Sequence, residues 1–210
     1  MKYNFIAIEG IIGSGKTSLA KLLAKQYDAQ LLLEAFSDNP FLPSFYENKA
    51  RFSFPLEMSF LAERYHQQSK LVPTPNLFQD ITISDYLFAK CLIFARTNLQ
   101  GHELKLYQEF FDIVAQRIKQ PELIVYLHLS PAQALVNIAK RGRAYEKSIS
   151  EDYLSAIQTN YFNHFKQHSS VPILLIDTNE LDFVNRPEDY ARMNDLLKKE
   201  YSCGLHRIIP

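Results

Sequence analysis

Three of the chain's six glycines fall within eight residues, Gly10-Ile11-Ile12-Gly13-Ser14-Gly15-Lys16-Thr17. The G-x-x-x-x-G-K-[ST] spacing is that of a loop wrapped around a phosphate chain. Glycine lets the backbone turn its N–H groups inward, and the helix that follows presents its positive end to the same point. Gly10, Gly13, Ser14, Gly15 and Ser18 are therefore candidates to hold the phosphates of a nucleoside triphosphate. Lys16 would lie against the outer phosphates, and the Thr17 hydroxyl would help to hold Mg²⁺. The apolar run Phe5–Glu9 before the loop and the helix-like 18–24 after it supply a strand-loop-helix context that a bare glycine turn does not need.

Acids and cations further along supply the other parts of a phosphoryl-transfer site. Glu34 closes an apolar run, and a carboxylate beside a bound triphosphate can accept a proton from an attacking hydroxyl. The plain alternative is an acid capping a loop. Asp85 closes another such run, where it either orders Mg²⁺ or caps the following helix. Glu57, Leu61 and Arg64 are spaced i, i+4, i+7 on one helical face. If buried, such a carboxylate and guanidinium pair or recognise a polar ligand; an ion pair on a solvated face is the simpler expectation. In the run 140–147, Arg141 and Arg143 flank Gly142 at a helix end. Charge runs are usually solvated, yet these two arginines are spaced to close over the triphosphate and neutralise a transferring phosphoryl group. Among the aromatic residues, most of them expected in the core, Tyr46 and Phe94 are the candidates to stack on a flat ring.

These residues need a scaffold that gathers distant segments. A chain of 210 residues, 47% hydrophobic and 22% charged, fits one α/β domain with a large core. A formal net charge of zero leaves no basic surplus for a polyphosphate backbone, which argues against nucleic acid as a partner. Cys91 and Cys203 are too few for a disulfide framework or a zinc site. With no leader before the first strand and no membrane-length apolar run, the sequence reads as cytoplasmic and soluble. Strands are expected at Phe5–Glu9, 30–34, 77–84, 123–129 and 172–177. Helices are expected over 15–27, 52–70, 85–97, 104–119, 131–140, 150–168 and 187–201. That alternation predicts a parallel sheet with helices on both faces. Ligands sit at the carboxyl ends of such strands, which singles out the Gly10 loop, Glu34, Ser84 with Asp85, Ser130 and 178–183. Asp80 reads as a solvent-facing or edge residue, and Pro73 and Pro75 as a loop.

From Ile6 to about Leu197, the order and spacing of these motifs resemble the P-loop deoxynucleoside kinases, a family with a thymidylate kinase-like fold. Glu34 is followed by Asp38-Asn39-Pro40-Phe41-Leu42 and Phe45-Tyr46, as in bacterial deoxyadenosine and deoxyguanosine kinase-like members. Residues 52–67 are similar to the family's base-contacting helix, and Ile93-Phe94-Ala95 to the segment after its third strand. Arg141-Gly142-Arg143 with Glu146 and Tyr153-Leu154 resembles its lid and following helix, and 177–183 its adenine-binding loop.

The resemblance implies an α/β, three-layer P-loop NTPase fold over one domain, 1–210: a five-stranded parallel sheet, helices on both faces and an arginine-bearing lid at about 141–149. It implies ATP and Mg²⁺, a deoxynucleoside as small-molecule substrate, and phosphorylation of its 5′-hydroxyl. Glu34 would activate that hydroxyl, Tyr46 and Glu146 would hold the 3′-hydroxyl, Glu57 and Arg64 would read the base edge, and Phe94 would pack on the base. Arg141 and Arg143 would meet the ATP phosphates, with Asp182 and Phe183 in the loop on the adenine. A homodimer through the helices around 52–70 and 85–97 is implied as well.

Two positions depart from the family pattern. Ser84-Asp85-Tyr86 stands where an acid-Arg-Ser triplet is usual, so either Asp85 takes the metal role with a shift or the site is rearranged. Lys90, one turn on, would be the residue to replace the missing positive charge. Glu57 stands where glutamine is more common, and an ionised carboxylate only accepts hydrogen bonds. Guanine offers two adjacent donors to it, whereas adenine and cytosine each offer an amino group beside an acceptor, so the base stays open; Glu57 and the bacterial look of Asn39-Pro40-Phe41-Leu42 lean towards a purine. A nucleoside monophosphate kinase of the thymidylate kinase type, and a non-catalytic nucleotide-binding subunit that lost the arginine, are the rival readings.

Overall fold

Apolar runs bounded by polar turns build a parallel sheet, and its central strands are buried on both sides. Strand β4 (Leu123–His128) illustrates the rule: Leu123, Val125 and Leu127 enter one hydrophobic cluster, while Ile124 and Tyr126 enter the opposite one. Alternation of side chains on a strand with no solvated face requires an unbroken apolar sequence. The computed structural model describes residues 2–34, 39–69, 81–168 and 170–210; the expectations for Asp38, Lys70, Pro73, Pro75, Asp80 and 77–80 lie outside them.

The described strands are β1 (Phe5–Glu9), β2 (Gln30–Leu32), β3 (Thr82–Ser84), β4, β5 (Pro172–Asp177) and β6 (Gly204–Ile208). They form one sheet in the order β2-β3-β1-β4-β5-β6, with every neighbouring pair parallel. The helices are α1 (Lys16–Tyr27), α2 (Leu42–Glu47), α3 (Lys49–Ser69), α4 (Lys90–Asn98), α5 (Gly101–Ala115), α6 (Pro131–Arg141), α7 (Glu151–Gln167) and α8 (Pro187–Leu197), with a 3₁₀ turn at Ala144–Ser148. Leu19 and Leu23 of α1 and Met193 and Leu197 of α8 cover one face of the sheet. Leu154, Ile157, Tyr161 and Phe165 of α7 cover the other. Beyond them, α3, α4 and α5 meet around Leu61, Cys91, Ala95 and Tyr107.

Six strands replace the expected five. β6 lies outside the expected set because Gly204-Leu205-His206-Arg207-Ile208 is an edge strand, exposed at every second residue and without the apolar run of a central strand. The six-residue α2 was also unforeseen. The helix expected from 85 begins only at Lys90, with Ala89 at its N-cap, so Asp85 does not cap it. Local chemistry sets the lid boundary: Gly142, at φ 74°, ends α6 in the left-handed conformation that favours glycine, and its N–H bonds the Ile138 carbonyl at 3.2 Å. Ser150 then caps α7 by accepting the Tyr153 N–H at 3.2 Å.

Candidate active site

The glycine loop connects β1 to α1 at the carboxyl edge of the sheet. Its glycines leave no room for a side chain: a Cβ on Gly13 would lie 2.6 Å from the Ala134 carbonyl, and one on Gly15 would lie 2.9 Å from Phe183 Cζ. Both have φ near +88°, which makes them doubly intolerant of substitution. Lys16 Nζ donates to the Gly10 and Ile11 carbonyls, each at 2.9 Å. Burial and the neighbouring Lys90 ammonium push its pKa down to about 8. The Ser14 hydroxyl is buried with no hydrogen-bond partner, and Ser18 is exposed on the first turn of α1. Behind the loop, buried Glu9 accepts the Gly10 N–H (3.2 Å), the Tyr161 hydroxyl (2.6 Å) and the Leu87 N–H (2.6 Å). One carboxylate thereby ties the loop to α7 and to the segment after β3.

Glu34, two residues beyond β2, is gripped from two helices. Arg64 of α3 donates to its Oε1 through Nε (2.8 Å) and Nη2 (2.5 Å), and Lys90 of α4 donates to its Oε2 at 2.6 Å. Burial alone would raise the Glu34 pKa; the two cations outweigh it and hold the carboxyl down to about 2. Lys90, one turn beyond the triplet that follows β3, is 5% exposed and reaches Glu34 from the start of α4. Arg64 Nη1 also donates to the Cys91 thiol at 3.1 Å. The solvated-face ion pair expected of Glu57 and Arg64 is not observed: they are 1% and 2% exposed, and Arg64 pairs with Glu34 instead. Tertiary packing of α3 against α4 and α5 buried a face that its polar residues had marked as outward.

Asp85 joins the phosphate loop to Glu34. Its Oδ2 accepts the Thr17 hydroxyl at 2.6 Å, and its Oδ1 accepts the Glu34 backbone N–H at 2.7 Å. Two cavities meet at this point. One is lined by Tyr46, Glu57, Arg64, Phe94, Asn98 and Glu146; the other runs along the glycine loop to Lys140 and 178–186. Gly13, Lys16, Thr17, Glu34, Asp85, Arg141 and Arg143 border both.

In the first cavity Tyr46 lies near-parallel to Tyr145, with centroids 6.0 Å apart, and meets Phe45 edge-on. Burial, then the Glu146 carboxylate, raise its pKa. The Phe94 ring lies 5.4 Å from Lys90 Nζ. Glu57 Oε1 accepts from Asn98 Nδ2 at 2.6 Å, whereas Oε2 is buried without a partner. Burial dominates and lifts the Glu57 pKa to about 7. In the lid, buried Glu146 accepts from Arg141 Nε (3.1 Å) and Nη2 (2.7 Å) and from Arg143 Nη1 (3.2 Å). At the far end of the second cavity, Phe183 is buried in the core beneath Gly15, and Asp182 accepts from the Asn185 side chain and backbone.

A family model for deoxynucleoside kinases matches residues 6–201. The chain belongs to the deoxynucleoside kinase family. The kinase is 36% identical to the deoxyguanosine kinase of Bacillus subtilis over 196 residues, covering 90% of this chain and 93% of that one. It is 34% identical to a deoxyadenosine kinase of Dictyostelium discoideum over 198 residues, 93% of this chain and 78% of that one. A solved structure of deoxyadenosine kinase from M. mycoides, with products dCMP and a flexible dCDP bound, matches with a TM-score of 0.79 at 25% identity, over 92% of this chain and 99% of that one. The protein is accordingly a phosphotransferase, with a deoxynucleoside as substrate and a nucleotide as phosphate donor. Among the described residues, no helix is long and apolar enough to cross a membrane.

Residue-type reasoning missed Asn98 and Glu9. A signal for Asn98 existed: Lys90, Phe94 and Asn98 recur at four-residue spacing along one face of α4. Nothing in the sequence marked Glu9, since a single acid ending an apolar strand has no distinctive pattern.

Proposed function

We propose that this kinase transfers the terminal phosphate of ATP to the 5′-hydroxyl of a purine deoxynucleoside. The observation that carries the reading is the position of Glu34 at the junction of the two cavities, held ionised between Lys90 and Arg64. ATP would lie with its phosphates in the glycine loop, against Lys16, and its adenine towards Asp182 and Phe183. The nucleoside would fill the other cavity, its base between Phe94 and the Glu57–Arg64 face and its sugar near Tyr46 and Glu146.

Phosphoryl transfer depends on positioning and charge more than on base strength. A carboxylate as weakly basic as Glu34 suits that demand: it orients the 5′-hydroxyl by accepting its hydrogen bond and takes the proton as the new P–O bond forms. Arg141 and Arg143, both bonded to Glu146, are pre-set to face charge developing on the transferred group. The Thr17 hydroxyl and Asp85 carboxylate form a hard-oxygen pair that would hold Mg²⁺, which would supply neutralisation of phosphate charge there. Lys90 and Arg64 both bind Glu34, which disfavours the monophosphate kinase reading, because a substrate phosphate there would compete with the carboxylate for both cations.

The enzyme would work as one domain in the cytoplasm and as a homodimer. Exposed Leu106, Phe110 and Ile113 on α5, beside the expected interface helices α3 and α4, support that assembly, and sedimentation velocity measures it. The test of function is phosphate transfer from labelled ATP to each of the four deoxynucleosides and to dTMP, with Glu34→Gln as control. Transfer to purine deoxynucleosides, lost by orders of magnitude in the variant, is the expected result. Preferential transfer to dTMP, or an unaffected variant, would overturn the reading.

A further inference from the structure

We propose that Asn98 sets base selection at a distance, pinning Glu57 Oε1 so that Oε2 alone meets the purine ring and favours a 6-oxopurine deoxynucleoside. The inference rests on the purine reading above and adds the class of base and the residue that determines it.

The geometry is a half-satisfied carboxylate in a cavity wall. Glu57 sits in the middle of α3, 1% exposed, and lines the nucleoside cavity together with Asn98. Asn98 occupies Oε1, while Oε2 is buried with no partner. A buried acceptor left unpaired is destabilising, so a ligand that donates to it gains more than the same hydrogen bond would give in water. The ring N1–H of a 6-oxopurine is such a donor. A 6-aminopurine presents a bare acceptor at N1, which an ionised carboxylate repels.

The surroundings decide the charge on Glu57. Arg64 faces it from the same helix, Glu34 from beyond β2, Lys90 and Cys91 from α4, Tyr46 from α2, Tyr107 from α5 and Tyr153 from α7. Both cations among them bond to Glu34 and not to Glu57. Burial therefore dominates, and Glu57 titrates at about 7. When it takes up a proton, the Asn98 N–H already occupies Oε1, so the proton sits on Oε2. The atom facing the base then turns from acceptor into donor, and its match changes from N1–H of a 6-oxopurine to bare N1 of a 6-aminopurine. Asn98 is thus a positioning residue: it determines which oxygen switches.

The experiment measures kcat/KM of the full-length enzyme for deoxyguanosine, deoxyinosine and deoxyadenosine between pH 6 and pH 8, with saturating ATP and Mg²⁺. Titrations common to all three substrates, that of Lys16 included, cancel in the ratios. The deoxyguanosine-to-deoxyadenosine ratio should rise about a hundredfold over that interval, because for a group near pH 7 the ionised form grows about tenfold while the protonated form falls about tenfold. Deoxyinosine, which has N1–H but no 2-amino group, should rise with deoxyguanosine. Glu57→Gln should flatten the ratio. Asn98→Ala should move its midpoint to higher pH, because the ionised form loses a donor. A ratio independent of pH in the unmodified enzyme, a midpoint unmoved in Asn98→Ala, or deoxyinosine behaving like deoxyadenosine would each overturn the inference. Transfer to none of the three would instead overturn the kinase reading on which it rests.

Discussion

Replacing Lys90 with methionine removes the ammonium from Glu34 while leaving an apolar stem of similar length beside Phe94. The bond lost is 2.6 Å long, and both partners are largely buried, Lys90 5% exposed and the Glu34 side chain 12%. Between the ordinary carboxylate value of 4.5 and about 2 in the folded protein lies roughly 3 kcal/mol of preference for the ionised form. Lys90 is the larger of the two cationic influences, so without it burial is opposed by Arg64 alone. Glu34 should then return to the ordinary carboxylate range or above it. A carboxyl with a depressed pKa contributes stability above its unfolded-state value and loses it as pH falls through the folded value. In the unmodified enzyme that window lies from about 4.5 down to about 2, below any working pH. In Lys90→Met that stabilising window should close, and protonation of Glu34 itself should approach the acid end of the assay range. Breaking a buried pair costs about 3–5 kcal/mol when the remaining charge is left alone; Arg64 still holds Glu34, so a loss of about 1–3 kcal/mol in urea unfolding at pH 7 is expected. Loss of one preorganised charge typically lowers kcat about 10²–10³-fold. The assay is kcat with saturating deoxynucleoside and ATP from pH 5 to pH 8, with Lys90→Arg restoring part of the rate. A kcat within about threefold of normal, with the acid limb unmoved, would refute the assignment of Lys90 as the cation that holds Glu34.

Asp85→Asn keeps one oxygen to accept the Glu34 N–H, while its amide N–H faces the Thr17 hydroxyl, which can turn to accept it; the charge is lost, so the Mg²⁺ concentration for half-maximal rate should rise about tenfold, with the fold intact. An unchanged requirement would limit Asp85 to anchoring its two neighbours. Glu57→Gln should stabilise the enzyme more at pH 8 than at pH 6, by roughly 1 kcal/mol in urea unfolding. A carboxyl whose folded pKa is raised loses stability as pH rises from its unfolded value through the folded one, here from 4.5 to about 7. An equal gain at both pH values would show that burial does not govern that group.

The sequence by itself determined the local devices. Eight residues with three glycines fix the phosphate loop, because only glycine adopts φ near +88° where Ala134 and Phe183 crowd the backbone. Buried strands such as Leu123–His128 declare themselves by unbroken apolar runs, and the Gly142 break between two arginines marks where α6 gives way to the lid turn. The edge strand β6 lacked such a run and stayed hidden. What the tertiary structure alone decided was which charges meet. Glu57 and Arg64 share a helical face and suggest each other as partners, yet packing of α3 against α4 sends Arg64 to Glu34 and leaves Glu57 to Asn98. Lys90, one cation among many in the chain, acquires its place because α4 begins five residues after Asp85 and points its first turn at the end of β2. Spacing along a chain specifies which side chains share a face; the dielectric around that face and the partner brought to it come from segments dozens of residues away, and these set both the charge on Glu57 and the basicity of Glu34.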